Sequence, residues 1–452
     1  MQRGLNMNLY EAADLIGAEA FGPDINLSGV CTDTRKIQAN TLFIALQGPN
    51  FDAHDFAAKA MQAGAAACML EHPVPGVERG LLVDDARLAM GRLANAWRKK
   101  FNIPLVAVTG SNGKTTVKEM LASIFAQQGE TLATQGNLNN DIGVPLTLFR
   151  LDAAHQAAVI EMGANHPGEI KYLTAIAKPD VALINNAAPA HLEGFGSLQG
   201  VAQAKGEIYS GLSEQGVAII NADDDFYSYW QGLNTEHRTI TFGLHNKADV
   251  SAEWESLSEG SHITLKTPIG AMQFILGLPG QHNVMNALAA TACAIAVDIS
   301  LETIKQGLET IRPVAGRLQL KQGIHDSHII DDTYNANPAS LKVALDVLLS
   351  FQGEHFLALG DMGELGEDAR TIHSAAGVEA REMGVNKLYT LGELSRLAAT
   401  SFGEDAKSFD EYTALVEALK KDLHTDVTLL VKGSRRMQMD KVVDALTPGR
   451  EA

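Results

Sequence analysis

An apolar run, Leu105-Val-Ala-Val-Thr109, leads through Gly110-Ser-Asn-Gly113 into Lys114-Thr115-Thr116, where a helical period over 114–128 begins. A strand that turns on glycines straight into a helix confines this part of the chain to a parallel α/β sheet, since parallel neighbours need a crossover and the helix supplies it. The same turn is what a phosphate-binding loop requires. Gly110, Ser111, Asn112 and Gly113 can point backbone N–H groups at phosphate oxygens, and the helix N-terminus adds partial positive charge. Lys114 then neutralises β/γ-phosphate, Thr115 offers a hydroxyl to Mg²⁺, and Thr116 closes the loop. The spacing is G-x-x-G-K-T, with Val108 where the general motif has its outer glycine. A tight turn bearing a surface lysine is the plainer alternative, and the flanking strand and helix weigh against it.

Around this loop the chain alternates strand-like and helical stretches. Ala158-Val-Ile-Glu161, Val181-Ala-Leu-Ile184 and Val217-Ala-Ile-Ile-Asn221 continue the apolar runs, which predicts βαβ units on a mostly parallel sheet. Thr239-Ile-Thr-Phe242, His262-Ile-Thr-Leu265 and Met272-Gln-Phe-Ile-Leu276 break the rhythm, and a small antiparallel patch is expected over 238–278. Beyond it, His328-Ile-Ile-Asp331, His355-Phe-Leu-Ala-Leu359, Lys387-Leu-Tyr-Thr-Leu391 and Val427-Thr-Leu-Leu-Val431 predict a second doubly wound, Rossmann-like sheet. Ahead of the loop, Thr41-Leu-Phe-Ile-Ala-Leu46 and alanine-rich helical stretches over 56–69 and 86–100 suggest a small α/β unit. Prolines at Pro104 and Pro313 mark the changes of pattern. The expected class is therefore α/β with three domains, 1–102, 103–313 and 314–452, in keeping with a length of 452 residues.

Charge and cysteines exclude several classes. Lys and Arg number 36 against 54 Asp and Glu, a net charge of −18, and such a balance gives no general basic face for nucleic acid or an anionic membrane. Cys31, Cys68 and Cys293 are odd in number and form no C-x-x-C pair, which fits a reducing cytoplasm. The N-terminus turns polar before a signal peptide's apolar region can form, and the longest apolar stretch, 287–297, is too short to span a bilayer. A cytoplasmic protein without membrane insertion is expected.

Several further residues carry chemistry. Glu161 ends the β-run after the loop, where ligands of open α/β sheets collect, so its carboxylate either completes a Mg²⁺ shell or caps a strand in solvent. Asn283 and Asn286 stand three apart at a helix start and share a face. Their amides suit an adenine edge, while an N-cap beside an ordinary polar residue explains them as well. Gly194-Phe-Gly196-Ser-Leu-Gln-Gly200 has one residue too many for a dinucleotide fingerprint and follows a polar loop. Asn246-Lys-Ala-Asp249 matches the guanine-reading N-K-x-D, but no D-x-x-G switch stands between it and the phosphate loop. His155, His166 and His191 form no H-x-x-x-H pair that would argue for zinc.

The loop and its neighbours resemble the Mur ligase family, the ATP-dependent amide-forming enzymes of peptidoglycan precursor synthesis. The resemblance spans essentially the whole chain. It rests on 109–116, Gly136-Asn-Leu-Asn-Asn-Asp-Ile-Gly-Val-Pro145, Glu161-Met-Gly-Ala-Asn-His166, His191-Leu-Glu-Gly-Phe-Gly196, Ala204-Lys-Gly-Glu207, Gly280-Gln-His-Asn-Val-Met-Asn286, Gly316-Arg317 and Asp331-Asp-Thr-Tyr-Asn-Ala-Asn-Pro338. Within the family the chain is similar to the branch that adds D-alanyl-D-alanine to UDP-N-acetylmuramoyl-tripeptide, through 137–140, Asp361-Met-Gly-Glu-Leu-Gly366 and the block from Thr32-Asp-Thr-Arg35 to Phe51-Asp-Ala-His54. It lacks the D-N-P-R of the diaminopimelate-adding branch, and Gln281 stands where the family has Arg.

The resemblance implies ATP and Mg²⁺ as cofactors, UDP-N-acetylmuramoyl-tripeptide and D-alanyl-D-alanine as partners, and a monomer. It assigns ATP phosphates and Mg²⁺ to Lys114, Thr115 and Glu161, a second Mg²⁺ to His191, adenine to Asn283 and Asn286, phosphates to Arg317 and ribose to Asp332. Lys205, by pattern alone a solvated helix lysine, corresponds to the lysine that the family carbamylates, which makes it a metal ligand. Substrate positions are implied at Thr34, Arg35, Asn137, Asn139, Asn140, Asn165, Tyr334, Asn335 and Asn337. Lys432, Ser434 and Arg435, at a strand end opening a helix, suit an anion. The expected chemistry passes through an acyl phosphate, which water destroys, so the third domain is expected to close on the second once ATP is bound. Folylpolyglutamate synthase shares this logic but begins close to the loop, and a GTP-binding switch is the alternative outside enzymes.

Overall fold

The computed structural model describes residues 4–189, 192–257 and 260–448. Three sheets of five or six strands follow one another along the chain. The first runs in the order Glu19–Phe21, Gly80–Leu82, Ala67–Leu70, Leu42–Ile44, Val30–Cys31, parallel except at its Glu19–Phe21 edge. The helix expected over 56–69 is cut short. It spans Ala57–Gln62, Gly64 turns at φ +105°, and Ala67–Leu70 is an interior strand buried throughout. Alanine-rich sequence accepts either state, and here the strands on both sides decide. Helix Ala86–Arg98 starts where the Asp85 carboxylate accepts the Leu88 N–H. Asp85→Ala is expected to lower stability by about 1 kcal/mol in urea unfolding.

This first unit is welded to the second rather than strung from it. The Trp97 indole N–H donates to the Leu151 carbonyl at 3.1 Å and Asn95 donates to the Ile176 carbonyl at 2.8 Å. Leu93, Ala94 and Trp97 share one continuous core with Leu148 and Ile160 of the central unit.

The central sheet runs Glu130–Ala133, His155–Glu161, Leu105–Thr109, Val181–Ile184, Val217–Asn221, Arg238–Phe242, all parallel. The last of these was expected in the antiparallel patch. It is instead the parallel edge, because alternation reveals a strand but not its partner. The patch itself is Ser251–Leu257, Gly260–Thr267 and Gly270–Leu276. Val106 and Val108 face helices Lys114–Ala126 and Gln281–Ala296, while Leu105 and Ala107 belong to the opposite core, which helix Glu169–Ala177 shares with the first unit, as a period of two demands.

The third sheet runs Gln319–Gln322, His328–Asp332, Val427–Lys432, Glu354–Gly360, Lys387–Leu391, Ala406–Phe409, parallel except at its first strand. Apolar cores lie on both faces, Leu357 and Leu359 on one, Phe356 and Ala358 on the other. Residues at the C-terminal ends of strands from the second and third sheets, among them Glu161, Asp332 and Lys432, line one cavity of about 900 Å³.

Candidate active site between the second and third sheets

The loop after Leu105–Thr109 is gripped by the end of the neighbouring strand. Asn186 accepts the Asn112 N–H at 2.9 Å, and the side-chain amides of Asn185 and Asn186 both donate to the Asn112 carbonyl. The Ser111 hydroxyl donates to the Ala188 carbonyl and accepts its own bond from the Ala188 N–H, each at 2.9 Å. Gly113 has φ +78°, and a Cβ there would lie 2.3 Å from the Asn185 amide and 2.4 Å from Asn286 Oδ1. Only glycine fits. Lys114 folds back, its Nζ 2.7 Å from the Gly110 carbonyl. Burial pulls its pKa below the usual lysine value; Glu161 opposes this and Arg317 adds to it. Thr116 lines the cavity wall.

Three elements meet at the Thr115 hydroxyl. It donates to Glu161 Oε2 at 3.0 Å and accepts from Arg317 Nη2 at 3.2 Å, while Asn139 donates to Glu161 Oε1 at 2.8 Å. Hydroxyl and carboxylate together form a hard oxygen donor set that fits Mg²⁺. Arg317, which comes from the third domain, lies over the Tyr334 ring at 4.0 Å.

Lys205 is not solvated. Only 3% exposed, it sits on helix Leu198–Gly206 and makes no hydrogen bond or ion pair with any described residue. Burial, reinforced by the Lys114 charge, holds its pKa well below the lysine range. Its helix is buried at Val201, Ala202, Ala204 and Gly206, which turns position 205 inward.

The asparagines divide. Asn283 donates to the Pro279 carbonyl at 2.8 Å, and Asn286 accepts from Asn185 at 2.9 Å, so Asn286 braces the loop at Gly113 and neither residue is the N-cap of its helix. Asn283 also lines a side cavity of about 280 Å³, with Thr116, Pro279, Arg312 and Pro313. The Asn140 side chain accepts the Gly143 N–H at 2.9 Å, just ahead of helix Gly143–Leu148. Asn137 and Asn165 are on the main cavity wall. Asn337 caps helix Pro338–Leu349 in a capping box and also donates to Asn112 Oδ1 at 3.0 Å, which ties the third domain to the phosphate loop.

Asp332 and Lys432, expected to meet ribose and an anion, pair with each other in register on adjacent parallel strands. The Asn335 carbonyl accepts a second bond from Lys432 at 3.0 Å. Ser434 bonds the Asp361 carbonyl at 2.6 Å, and Arg435 reaches Asp440 at 3.1 Å while lining the cavity. Thr34 and Arg35 lie off this wall, and Arg35 is held by Asp33, whose pKa the Arg35 hydrogen bonds lower to about 2. His191 lies outside the described residues.

Sequence reasoning missed Asn185 and Asn186, whose signal was their place just past an apolar strand. It also missed His282, half-buried in the cavity wall. Burial pushes the His282 pKa down to about 4, against Asp332 and with Lys432. Asn246 and Asp249 bond Asp223, Ala222 and Thr241 beyond the cavity, so the guanine-reading match is structural. A Cβ on Gly194 would meet the Asn165 carbonyl at 1.9 Å, which accounts for that glycine by close packing.

A phosphate loop whose threonine bonds a strand-end carboxylate and is met by an arginine from a second α/β domain defines a nucleotide-dependent enzyme working in an interdomain cleft. More specifically, the chain belongs to the Mur ligase family. Three family profiles match: Mur ligase family, catalytic domain, at 26–98; Mur ligase middle domain at 108–294; and Mur ligase, glutamate ligase domain, at 316–435. The UDP-N-acetylmuramoyl-tripeptide--D-alanyl-D-alanine ligase of Escherichia coli K12 is 44% identical over 446 residues, 98% of each chain. A crystal structure of MurF from Acinetobacter baumannii superposes with a TM-score of 0.93 at 36% identity, covering 98% of this chain and 99% of that one. MurF ligase from Thermotoga maritima in complex with ADP gives 0.84 at 26% identity, covering 92% and 96%.

Proposed function

We propose that this chain joins D-alanyl-D-alanine to UDP-N-acetylmuramoyl-tripeptide at the expense of ATP, releasing ADP and phosphate. End-to-end likeness to a relative of that name carries the reading, and the cleft supplies the machinery. The tripeptide's terminal carboxylate attacks the γ-phosphorus; an O–P bond forms, the bond to the β-phosphate oxygen breaks, and ADP leaves. The dipeptide amine then attacks the acyl carbonyl, loses a proton, and phosphate departs from the tetrahedral intermediate. Lys114 and the backbone N–H groups of 110–113 orient the triphosphate, and Arg317 offsets the repulsion between anionic nucleophile and phosphates. Thr115 and Glu161 would hold Mg²⁺, which would supply further charge neutralisation on phosphate oxygens. The side cavity beside Asn283 takes adenine and Asp332 the ribose. Thr34 and Arg35 serve the uridine diphosphate, and Asn137, Asn139, Asn165, Tyr334, Asn335 and Arg435 border the joined substrates.

Lys205 reads as the carbamylation site. In its neutral form the buried amine would add to CO₂ and release a proton, giving a carbamate that, with His191, would hold a second metal. Because the folded pKa is depressed, unmodified Lys205 costs nothing above the unfolded lysine pKa, destabilises progressively as pH falls below that value, and reaches its full cost once pH is below the folded pKa. Lys205→Met is therefore expected to abolish activity yet raise the melting temperature near pH 7, with a flatter rise of stability toward alkaline pH. Calorimetry across pH checks this, and a lower melting temperature would sink it.

The free, buried cysteines Cys31, Cys68 and Cys293 support a reducing cytoplasm. Gel filtration checks for a monomer of 48.3 kDa. The decisive test is phosphate release with each substrate alone and with both. Release that needs both, with a product heavier by one dipeptide, is expected; turnover with folate and glutamate instead would overturn the substrate assignment.

A further inference from the structure

Residues 361–366 are held from three directions. The segment follows strand Glu354–Gly360. The Asp361 carbonyl accepts both the N–H and the hydroxyl of Ser434, at 3.0 and 2.6 Å, and its carboxylate accepts the Ser395 N–H at 2.7 Å. Gly392, at φ +124°, approaches so closely that a Cβ would lie 2.4 Å from the Asp361 carboxylate. The third hold is His373, fully buried on helix Ala369–Met383. Its Nε2 is 2.9 Å from the Met362 backbone nitrogen and its Nδ1 is 2.6 Å from the Ala369 carbonyl.

Those two partners determine the ring's state. An amide N–H only donates and a carbonyl only accepts, so Nε2 must accept and Nδ1 must carry the proton. A second ring proton would point at the Met362 N–H and break that hold. Burial lowers the His373 pKa in keeping with this, with the Ala369 carbonyl and the Asp361 carboxylate opposing and the Arg436 guanidinium assisting. Met362 and Leu365 are buried anchors, whereas Gly363, Glu364 and Leu365 border the main cavity beside Arg435. Glu364 sits at φ +61°. A non-glycine residue in the left-handed region is strained, and such strain persists only where the surroundings over-determine it.

We propose that His373 is a positioning residue for the amine substrate: as a neutral acceptor for the Met362 N–H, it fixes residues 363–365 as the cavity wall against which the incoming D-alanyl-D-alanine is seated. This rests on the function proposed above. Gly363, Glu364 and Leu365 line the cavity beside Arg435 on the third domain's side, so their displacement is expected to act on the substrate seated there more than on the other two.

The test is a KM for each substrate in the full-length wild type, His373→Asn and His373→Gln. An asparagine amide can donate to Ala369 but stops short of Met362, whereas a glutamine oxygen reaches the place of Nε2. His373→Asn is expected to raise the dipeptide KM about tenfold with the ATP and nucleotide-sugar values within about twofold, and His373→Gln to restore most of it. An equal rise in all three KM values, an unchanged dipeptide KM, or no rescue by glutamine overturns the proposal. Should both variants fail to fold, ¹⁵N-histidine NMR of the wild type decides. A neutral Nδ1–H ring that shifts on adding dipeptide to the complex with a non-hydrolysable ATP analogue and the nucleotide sugar supports it, and an Nε2–H ring, a cation or no shift refutes it. Wild type that fails to turn over the substrate pair would instead refute the functional reading, and the ring tautomer is read independently of turnover.

Discussion

Arg317→Met is expected to lower kcat by about three to five orders of magnitude, the range for an arginine that stabilises charge in phosphoryl transfer from outside the nucleotide's own domain. The geometry explains why. Arg317 crosses from the third domain to the Thr115 hydroxyl, its plane rests on Tyr334, and its Nε is buried with no hydrogen-bond partner among the described residues. A buried guanidinium donor left unsatisfied by the protein is ready for an oxygen that arrives with substrate. Arg317→Lys keeps the charge but loses the planar fork and the stacking, so about a hundredfold loss is expected. Phosphate release under saturating substrates measures both, with circular dichroism as the control for folding. A drop of less than about tenfold for methionine would show that the phosphates are neutralised elsewhere.

Lys432→Met should destabilise the third domain by about 3–5 kcal/mol, because it strands the Asp332 carboxylate in a site only 7% exposed. The partners lie 100 residues apart and meet because their strands are adjacent and parallel with Asp332 opposite Lys432. Neutralising both ends, in Asp332→Asn with Lys432→Met, is expected to recover most of the loss, since desolvation of the lone charge is then gone. Amide hydrogen exchange in strands His328–Asp332 and Val427–Lys432 reads this locally. Equal loss in the single and double variants would mean that shape, not charge, is at stake. The pairing also bears on ATP binding. If Asp332 takes the ribose hydroxyls it must share itself with Lys432, so Asp332→Asn is expected to raise the KM for ATP more than that for either amide partner.

The parts of the site legible in the sequence were those in which neighbours along the chain do the chemistry together. Gly110 to Thr116 bring strand, turn and helix into one short stretch, and the periodicity on either side reports its own burial. The four strands expected in the third sheet and most of those in the second were readable for the same reason. Glu161 was half legible: its place at a strand end was local, but its bonds to Thr115 and Asn139 were not. The strands at 67–70 and 238–242 show the limit of pattern, for one was taken as helix and the other was given the wrong partner.

By itself the sequence determined the α/β class, the phosphate loop and, through its motifs, membership of a ligase family, because these rest on local periodicity and on spacings a few residues long. Only the tertiary structure decided that Lys205 is buried and unpaired among the described residues, that Asp332 and Lys432 satisfy each other, that Asn286 braces Gly113, and that His373 must be neutral. Each of these depends on burial and on backbone groups delivered by other elements, in most cases from distant parts of the chain, and desolvation and hydrogen-bond partnership have no local sequence signature.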